Sequence, residues 1–269
     1  MAATDSLSRS AAPPRRARRT AEEHAMASTP SDEARLRQQL TDFYHLVDYF
    51  GWSELIFNHI SARLPGPDHH YLVNPFGLDY REVRPDNLLV VDVAGNKLCS
   101  SNHDANPAGF ALHGVIHQNR PDAMCVAHTH SNALSAVAMK RDGFDHNNFY
   151  GAQLFGRVGY HDFEGITLYD DERPRMLESL GDRHVLVLRN HGVAVCERDI
   201  PTTFMLLWTA QRAAEIQCMA GQAGGPDVPL PDEVKQRCAA DALRLVEHAQ
   251  FAELVFDAQV RRMKQQRGW

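Results

Sequence analysis

Over residues 36–50 the large apolar side chains Leu36, Leu40, Phe43, Leu46, Val47 and Phe50 recur every three or four positions, which places them on one face of an α-helix. Ser31, three residues before Ala34, offers an N-cap, and Gly51 a stop. The period then falls to two. Phe57 to Leu64 alternates like a strand, Pro65-Gly66-Pro67-Asp68 is a turn, and Tyr71-Leu72-Val73 is a short strand broken by Asn74-Pro75-Phe76-Gly77. Leu88 to Val93 followed by Gly95-Asn96 predicts a strand entering a hairpin. Helical spacing returns from Gly109 to Asn119, where Phe110, Leu112, His113, Ile116 and His117 share a face and Asn106-Pro107 is the entry signal.

An apolar run, Met124-Cys125-Val126-Ala127, then leads straight into His128-Thr129-His130. Ser131 to Lys140 is helical, with Ser131 or Asn132 as its cap, which sets a helix N-terminus beside the histidines. His146 to Gly165 is predicted to be loop-rich, with aromatics that pack by default. Arg173 to Leu180 is a short helix, and Val185 to Leu188 begins a β-rich run that carries His191 before Gly192, a glycine that permits a sharp turn. Ile200 to Gly221 is a long amphipathic helix, Gly224 to Pro231 a linker, and Asp232 to Gln266 a helical tail.

Residues 1–30 do not join this pattern. Arg9, Arg15, Arg16, Arg18 and Arg19 stand among Ala, Ser and Pro with few large apolar groups, so the segment is expected to be a disordered tail. A transit peptide would also be Arg-rich, but Glu22 and Glu23 follow and no amphipathic stripe is evident. Met26 is an alternative start. The expected division is therefore a tail over 1–30, one domain over 31–222, and a linker with a helical tail over 223–269 that packs on the domain or on a neighbouring subunit.

Composition narrows the function classes. A 43% apolar and 23% charged chain is ordinary for a globular protein, and its net charge of −6 argues against nucleic acid as a partner. No segment approaches the roughly 20 apolar residues that span a bilayer, so no membrane partner is expected. Cys99, Cys125, Cys196, Cys218 and Cys238 are odd in number and lack C-x-x-C spacing, which fits reduced thiols and a cytoplasmic location.

The chemistry concentrates at His128 and His130. Alternate residues of a strand leave the same face, so both imidazoles point one way, and a divalent metal satisfies both. A half-exposed strand whose histidines face water is the plainer reading. His191 adds a third imidazole from a distant strand, and three such ligands leave open positions for water or substrate.

With their surroundings these residues resemble the class II aldolase and adducin family. The resemblance runs from about Leu36 to about Ala220, on Asn58-His59-Ile60-Ser61-Ala62-Arg63, Asn74-Pro75-Phe76-Gly77, Asn106-Pro107 through His113, Arg120-Pro121-Asp122-Ala123, His128-Thr129-His130 and Arg189-Asn190-His191-Gly192. It implies an α/β fold, a three-layer α/β/α arrangement with a mixed, largely antiparallel central sheet. It further implies His128, His130 and His191 as ligands of zinc, or of manganese or iron, with the metal polarising a carbonyl and stabilising an enediolate. A homotetramer with sites near subunit interfaces is also implied, as is substrate contact from Asn58, His59, Asn74 and Gly77. For His59, structural hydrogen bonding is the competing reading.

The departures from the family pattern are as informative. Where its sugar-phosphate aldolases carry an acid/base glutamate, 19 residues before the first histidine, this chain has Gly109. The phosphate-holding serines correspond to Pro107 and Ala108, and a phosphate-contacting threonine to Phe76. Burying a phosphate dianion without donors costs on the order of several kcal/mol, so the expected small-molecule substrate is unphosphorylated. Proton transfer then falls to another group: Glu164, Tyr160 and His113 are the first candidates, with Asp162, Tyr150 and His59 beside them.

The expected function is a metal-dependent lyase acting on an unphosphorylated hydroxy- or oxo-acid, by retro-aldol cleavage or decarboxylation. The alternatives are a non-haem iron oxidative decarboxylase on the same triad and a non-catalytic, adducin-like binding module.

Overall fold

The computed structural model describes residues 30–269 except Leu168 and Ala249. The tail expected over 1–30 and the start at Met26 fall, Pro30 apart, outside the described residues. Helix α1 spans Pro30–Tyr49, so Ser31 lies within its first turn and is not its cap. Proline is tolerated there because the first N–H groups of a helix have no intrahelical partner. Gly51 ends the helix as expected. At φ +71° it lets Trp52 N–H return to Val47 O at 2.9 Å and its own N–H to Asp48 O at 3.0 Å, the paired bonds of a left-handed helix stop.

Among the described residues seven strands form one sheet: β1 (His59–Arg63), β2 (Tyr71–Val73), β3 (Leu89–Val91), β4 (Cys125–Thr129), β5 (Val158–His161), β6 (Val185–Leu188) and β7 (Gly192–Glu197). Their order is β3-β2-β1-β4-β7-β6-β5, and only the β5–β6 pairing is parallel. The expected mixed, largely antiparallel sheet is thus present. Two features within it differ from expectation. The β-rich run through His191 is two strands, β6 and β7, joined by a tight hairpin at Arg189, Asn190 and His191. The aromatic stretch from His146 holds β5 and a short helix, α4 (Phe149–Gln153), which Asn148 caps by accepting from the N–H groups of Tyr150 and Gly151.

Helices cover both faces. Ile60, Ala62, Leu72, Cys125, Ala127, Val185, Val187, Val193 and Val195 point to a core shared with α1, α3 (Asn132–Ala138), α6 (Ile200–Ala223) and α8 (Phe251–Arg267). The alternate residues Val126, Leu186, Leu188, Ala194 and Cys196 pack on α2 (Pro107–Asn119) and α5 (Arg173–Leu180). Strands of strict alternation buried on both sides produce this three-layer arrangement.

The helical tail consists of two helices, α7 (Asp232–Glu247) and α8, separated at Gln250, whose φ is +56°. Helix α8 closes the core. The Phe256 ring stands 6.5 Å from Phe43 and 5.6 Å from Phe204, both edge-on, and Phe43 and Phe204 are themselves 5.6 Å apart. Each such contact contributes about 0.5–1.5 kcal/mol beyond area burial. Among the described residues no helix is long and apolar enough to cross a membrane.

Candidate metal centre

Strands β1 and β4 pair antiparallel with His59 opposite His128, so both rings leave the same face of the sheet. His130 follows one residue beyond β4. His191 arrives from the β6–β7 hairpin, whose shape depends on two residues. Asn190 takes the left-handed conformation at φ +57°, which asparagine tolerates better than most side chains, and its N–H is held by Ala138 O at 3.1 Å. Gly192 does not supply the turn. A Cβ there would stand 2.6 Å from Thr129 O and 2.8 Å from His130 Cδ2, so its role is to let β7 approach β4 and the His130 ring.

The ligand atoms of His128, His130 and His191 all lie within 4.8 Å of one another. His128 and His130 bring their Nε2 atoms to 2.7 Å. His128 Nδ1 faces the Val193 carbonyl at 3.2 Å, which only accepts, so its proton sits on Nδ1 and Nε2 is bare. The Glu54 carboxylate at 2.7 Å likewise holds a proton on His130 Nδ1. Two lone pairs therefore face each other, a repulsive contact that a shared cation turns into ligation. The donor set fits a divalent metal ion, with Val193 and Glu54 as the outer groups that fix each ring's tautomer. Burial, then the charges of neighbouring histidines, pushes the pKa of His128 well below the ordinary histidine value. His191 is lowered by the same causes to about 4, against the opposing charge of Glu54. Neutral imidazole is the ligating form.

These rings line a cavity of about 530 Å³ with His59, Phe57, Phe76, Leu112, Phe163, Ile166 and Leu188; Asn106, Thr167 and Asn190 supply its amide and hydroxyl groups. Among the described residues, none that lines it is Lys or Arg, and none is Asp or Glu. Ser131 and Asn132, at the start of α3, are not among them, and the Ser131 hydroxyl is spent on Gln211, so the helix terminus expected beside the histidines does not open into the cavity.

The sequence candidates separate by placement. His59 lines the cavity, and His113 lies behind it, buried, with its Nε2 2.8 Å from His59 Nδ1. Glu164 and Tyr160 are not brought to the histidines. The Glu164 carboxylate is gripped by Arg175 at 2.7 and 2.5 Å, and the Tyr160 hydroxyl accepts from Phe144 N–H at 3.1 Å while Arg189 covers its ring. Asp162 pairs with Arg189 at 3.5 Å on the surface, and Tyr150 lines a separate groove among α4, α6, α7 and α8. Asn58 donates to Trp52 O at 3.0 Å, and Asn74 accepts from the Tyr44 hydroxyl at 2.9 Å, so both tie loops to the core. Gly77, at φ +98°, shapes the turn that carries Phe76 to the cavity.

Three residues, Glu54, Ser61 and His117, are not marked as site residues by the sequence. Glu54 lies in an irregular segment with no motif to mark it. Ser61 and His117 were visible only as strand and helix positions, although the spacings His59-x-Ser61 and His113-x-x-x-His117 place each pair on one face of its element.

The family model for the Class II Aldolase and Adducin N-terminal domain matches residues 38–218. A Pseudomonas aeruginosa protein provisionally named as an aldolase class 2 protein is 37% identical over 208 residues, 77% of this chain and 80% of its own. Rat α-adducin is 39% identical over 199 residues, 72% of this chain but only 27% of the adducin. Among solved structures, an aldolase II superfamily protein from Pseudomonas syringae superposes with a TM-score of 0.81 at 33% identity, covering 89% of this chain and 95% of that one. The L-fuculose 1-phosphate aldolase of Glaciozyma antarctica shares the fold, with a TM-score of 0.78 at 21% identity over 90% of this chain and 94% of that one.

Proposed function

The chain belongs to the class II aldolase and adducin family, and we propose on that premise that it is a divalent-metal-dependent carbon–carbon lyase acting on an unphosphorylated hydroxy- or oxo-acid, by retro-aldol cleavage or decarboxylation. The observation that carries the reading is the convergence of His128, His130 and His191 on a cavity whose lining, among the described residues, contains no Lys or Arg. A bound divalent ion would supply Lewis-acid polarisation of a substrate oxygen and stabilise the negative charge left by bond cleavage. The protein's own part is to hold the ligating rings in fixed tautomers, to give the cavity apolar walls in Phe57, Phe76, Phe163 and Ile166, and to orient polar groups with Asn106, Thr167 and Asn190. A phosphate dianion would find no cation among those lining residues.

Zinc is the proposed ion, with manganese or iron as alternatives, because three neutral imidazoles with open positions suit all three. A cytoplasmic location accords with five free cysteines. A homotetramer accords with the exposed Phe149, Leu245 and Leu254 along α4, α7 and α8.

The kinship with α-adducin, together with a cavity lining that among the described residues has no carboxylate, favours as second reading a binding module without catalysis. Zinc-loaded protein incubated with a panel of unphosphorylated 2-hydroxy- and 2-oxo-acids, with product analysis by mass spectrometry, separates the two. Cleavage or carbon dioxide release that His128→Ala abolishes supports the lyase. Metal binding with no turnover of any member favours the module.

A further inference from the structure

We propose that His59 is the proton-handling group of this site, and that His113, Ser61 and His117 are positioning residues that fix its tautomer. The inference rests on the lyase reading above. Its first support is space. A Cβ on Gly109 would stand 3.3 Å from Cγ and Cδ2 of His59, so the bare backbone of α2 at Gly109 is what the imidazole ring packs against.

The second support is the order of donors in a buried chain of side chains. His117 Nδ1 lies 3.0 Å from the Ala123 carbonyl, which can only accept, so the proton of His117 is on Nδ1 and its Nε2 is an acceptor. Ser61 donates its single hydroxyl proton to that Nε2, 2.7 Å away. Ser61 Oγ must then accept from His113, whose Nδ1 is 2.5 Å away. His113 Nε2 is left as an acceptor for His59 Nδ1–H at 2.8 Å. Each link removes one freedom, and the last leaves His59 with its proton on Nδ1 and a lone pair on Nε2. Its ring lines the cavity, with its centroid 5.0 Å from that of His128. All four side chains are buried, so water does not scramble the order.

A substrate hydroxyl entering the cavity meets this acceptor. In a retro-aldol step the hydroxyl proton passes to Nε2, the O–H electron pair becomes the new carbonyl bond, and the carbon–carbon pair moves to the departing fragment. The proton on Nε2 then returns to that fragment. The chain behind His59 cannot drain the proton away, because it ends on a backbone carbonyl and moving charge along it would bring a second cation to His117, which already feels the Arg63 guanidinium. Ser61, His113 and His117 therefore hold the ring and do not relay.

The test is long-range ¹H–¹⁵N NMR on full-length protein labelled with ¹⁵N-histidine, metal-free and loaded with zinc. The expected spectrum shows His59 protonated at Nδ1 and bare at Nε2 in both forms. Ser61→Ala is expected to lose the single tautomer at His59 while zinc stoichiometry stays unchanged, and Ser61→Thr, which keeps the hydroxyl, to restore it. Zinc-loaded protein is further expected to bind glycolate more tightly than acetate, with the preference reduced about tenfold in His59→Phe. A proton on His59 Nε2 in the unmutated protein, a His59 resonance shifted by direct zinc ligation, or a glycolate preference unchanged in His59→Phe would each overturn the proposal. Absence of bound zinc with the His59 tautomer as expected would instead strike the metal reading and leave the positioning chain standing.

Discussion

His130 Nδ1 and the Glu54 carboxylate stand 2.7 Å apart, although 76 positions separate them in sequence. The contact keeps the proton on Nδ1 and makes Nε2 the ligating atom. Glu54→Ala is therefore expected to retain the fold and to lower metal affinity by about 10–100-fold, measured by competition with a chelator. Unchanged affinity would remove Glu54 from the account.

Gly192 tests the closeness of β7 to the His130 ring. In Gly192→Ala the new methyl would meet Thr129 O at 2.6 Å and His130 Cδ2 at 2.8 Å, and neither a strand carbonyl nor a ligating ring yields cheaply. Destabilisation of about 1–3 kcal/mol with weakened metal binding is expected from thermal melts and titration. A variant as stable and as avid as the parent would show that the approach is looser than described.

Much of this arrangement was legible in the sequence where a residue's role follows from its own local period. The α1 face, β1, β2, α2, α5 and α6 lie in the spacing of their apolar residues, and His191 stands out at the end of a β-rich run before Gly192. What was not legible depends on partners far along the chain. Glu54 belongs to no periodic element, and the alternation of β5 is only four residues long, so its pairing with β6 decides that it is a strand. At the His191 hairpin the flexible residue in the sequence is Gly192, but the left-handed position is Asn190, which only the pairing of β6 with β7 decides. Glu164 and Tyr160 were attractive by residue type, but Arg175 and Phe144 claim them. Proton-carrying ability is common among side chains; placement is not encoded locally.

Helix α8 contributes to the core of the domain, since Phe256 is only 1% exposed and meets Phe43 and Phe204 edge-on. Phe256→Ala is expected to cost about 3–5 kcal/mol in a denaturant titration. A loss under about 1 kcal/mol would mean that α8 is detachable from the remainder.

Acid should weaken the metal-free protein through its buried histidines. Burial, followed by the Arg63 charge, pushes the pKa of His117 down to about 3, whereas the unfolded chain takes up a proton near 6.5. Its contribution to stability is therefore complete above about pH 6.5 and is lost as pH falls from there toward about 3, at roughly 1.4 kcal/mol per pH unit for each such group. Melting temperature should be flat from pH 8 to 7 and fall between pH 6.5 and 4, with a shallower fall in His117→Gln. An identical slope in that variant would contradict the assignment.

Whether His128, His130 and His191 share one metal ion is read by elemental mass spectrometry. Protein purified without chelator or a histidine tag is compared with His128→Ala, His130→Ala and His191→Ala, each checked for retained fold by circular dichroism. About one zinc, manganese or iron per chain is expected in the parent, and its loss in all three folded variants. Metal content unchanged by any of the substitutions, or no binding under zinc loading, would contradict it.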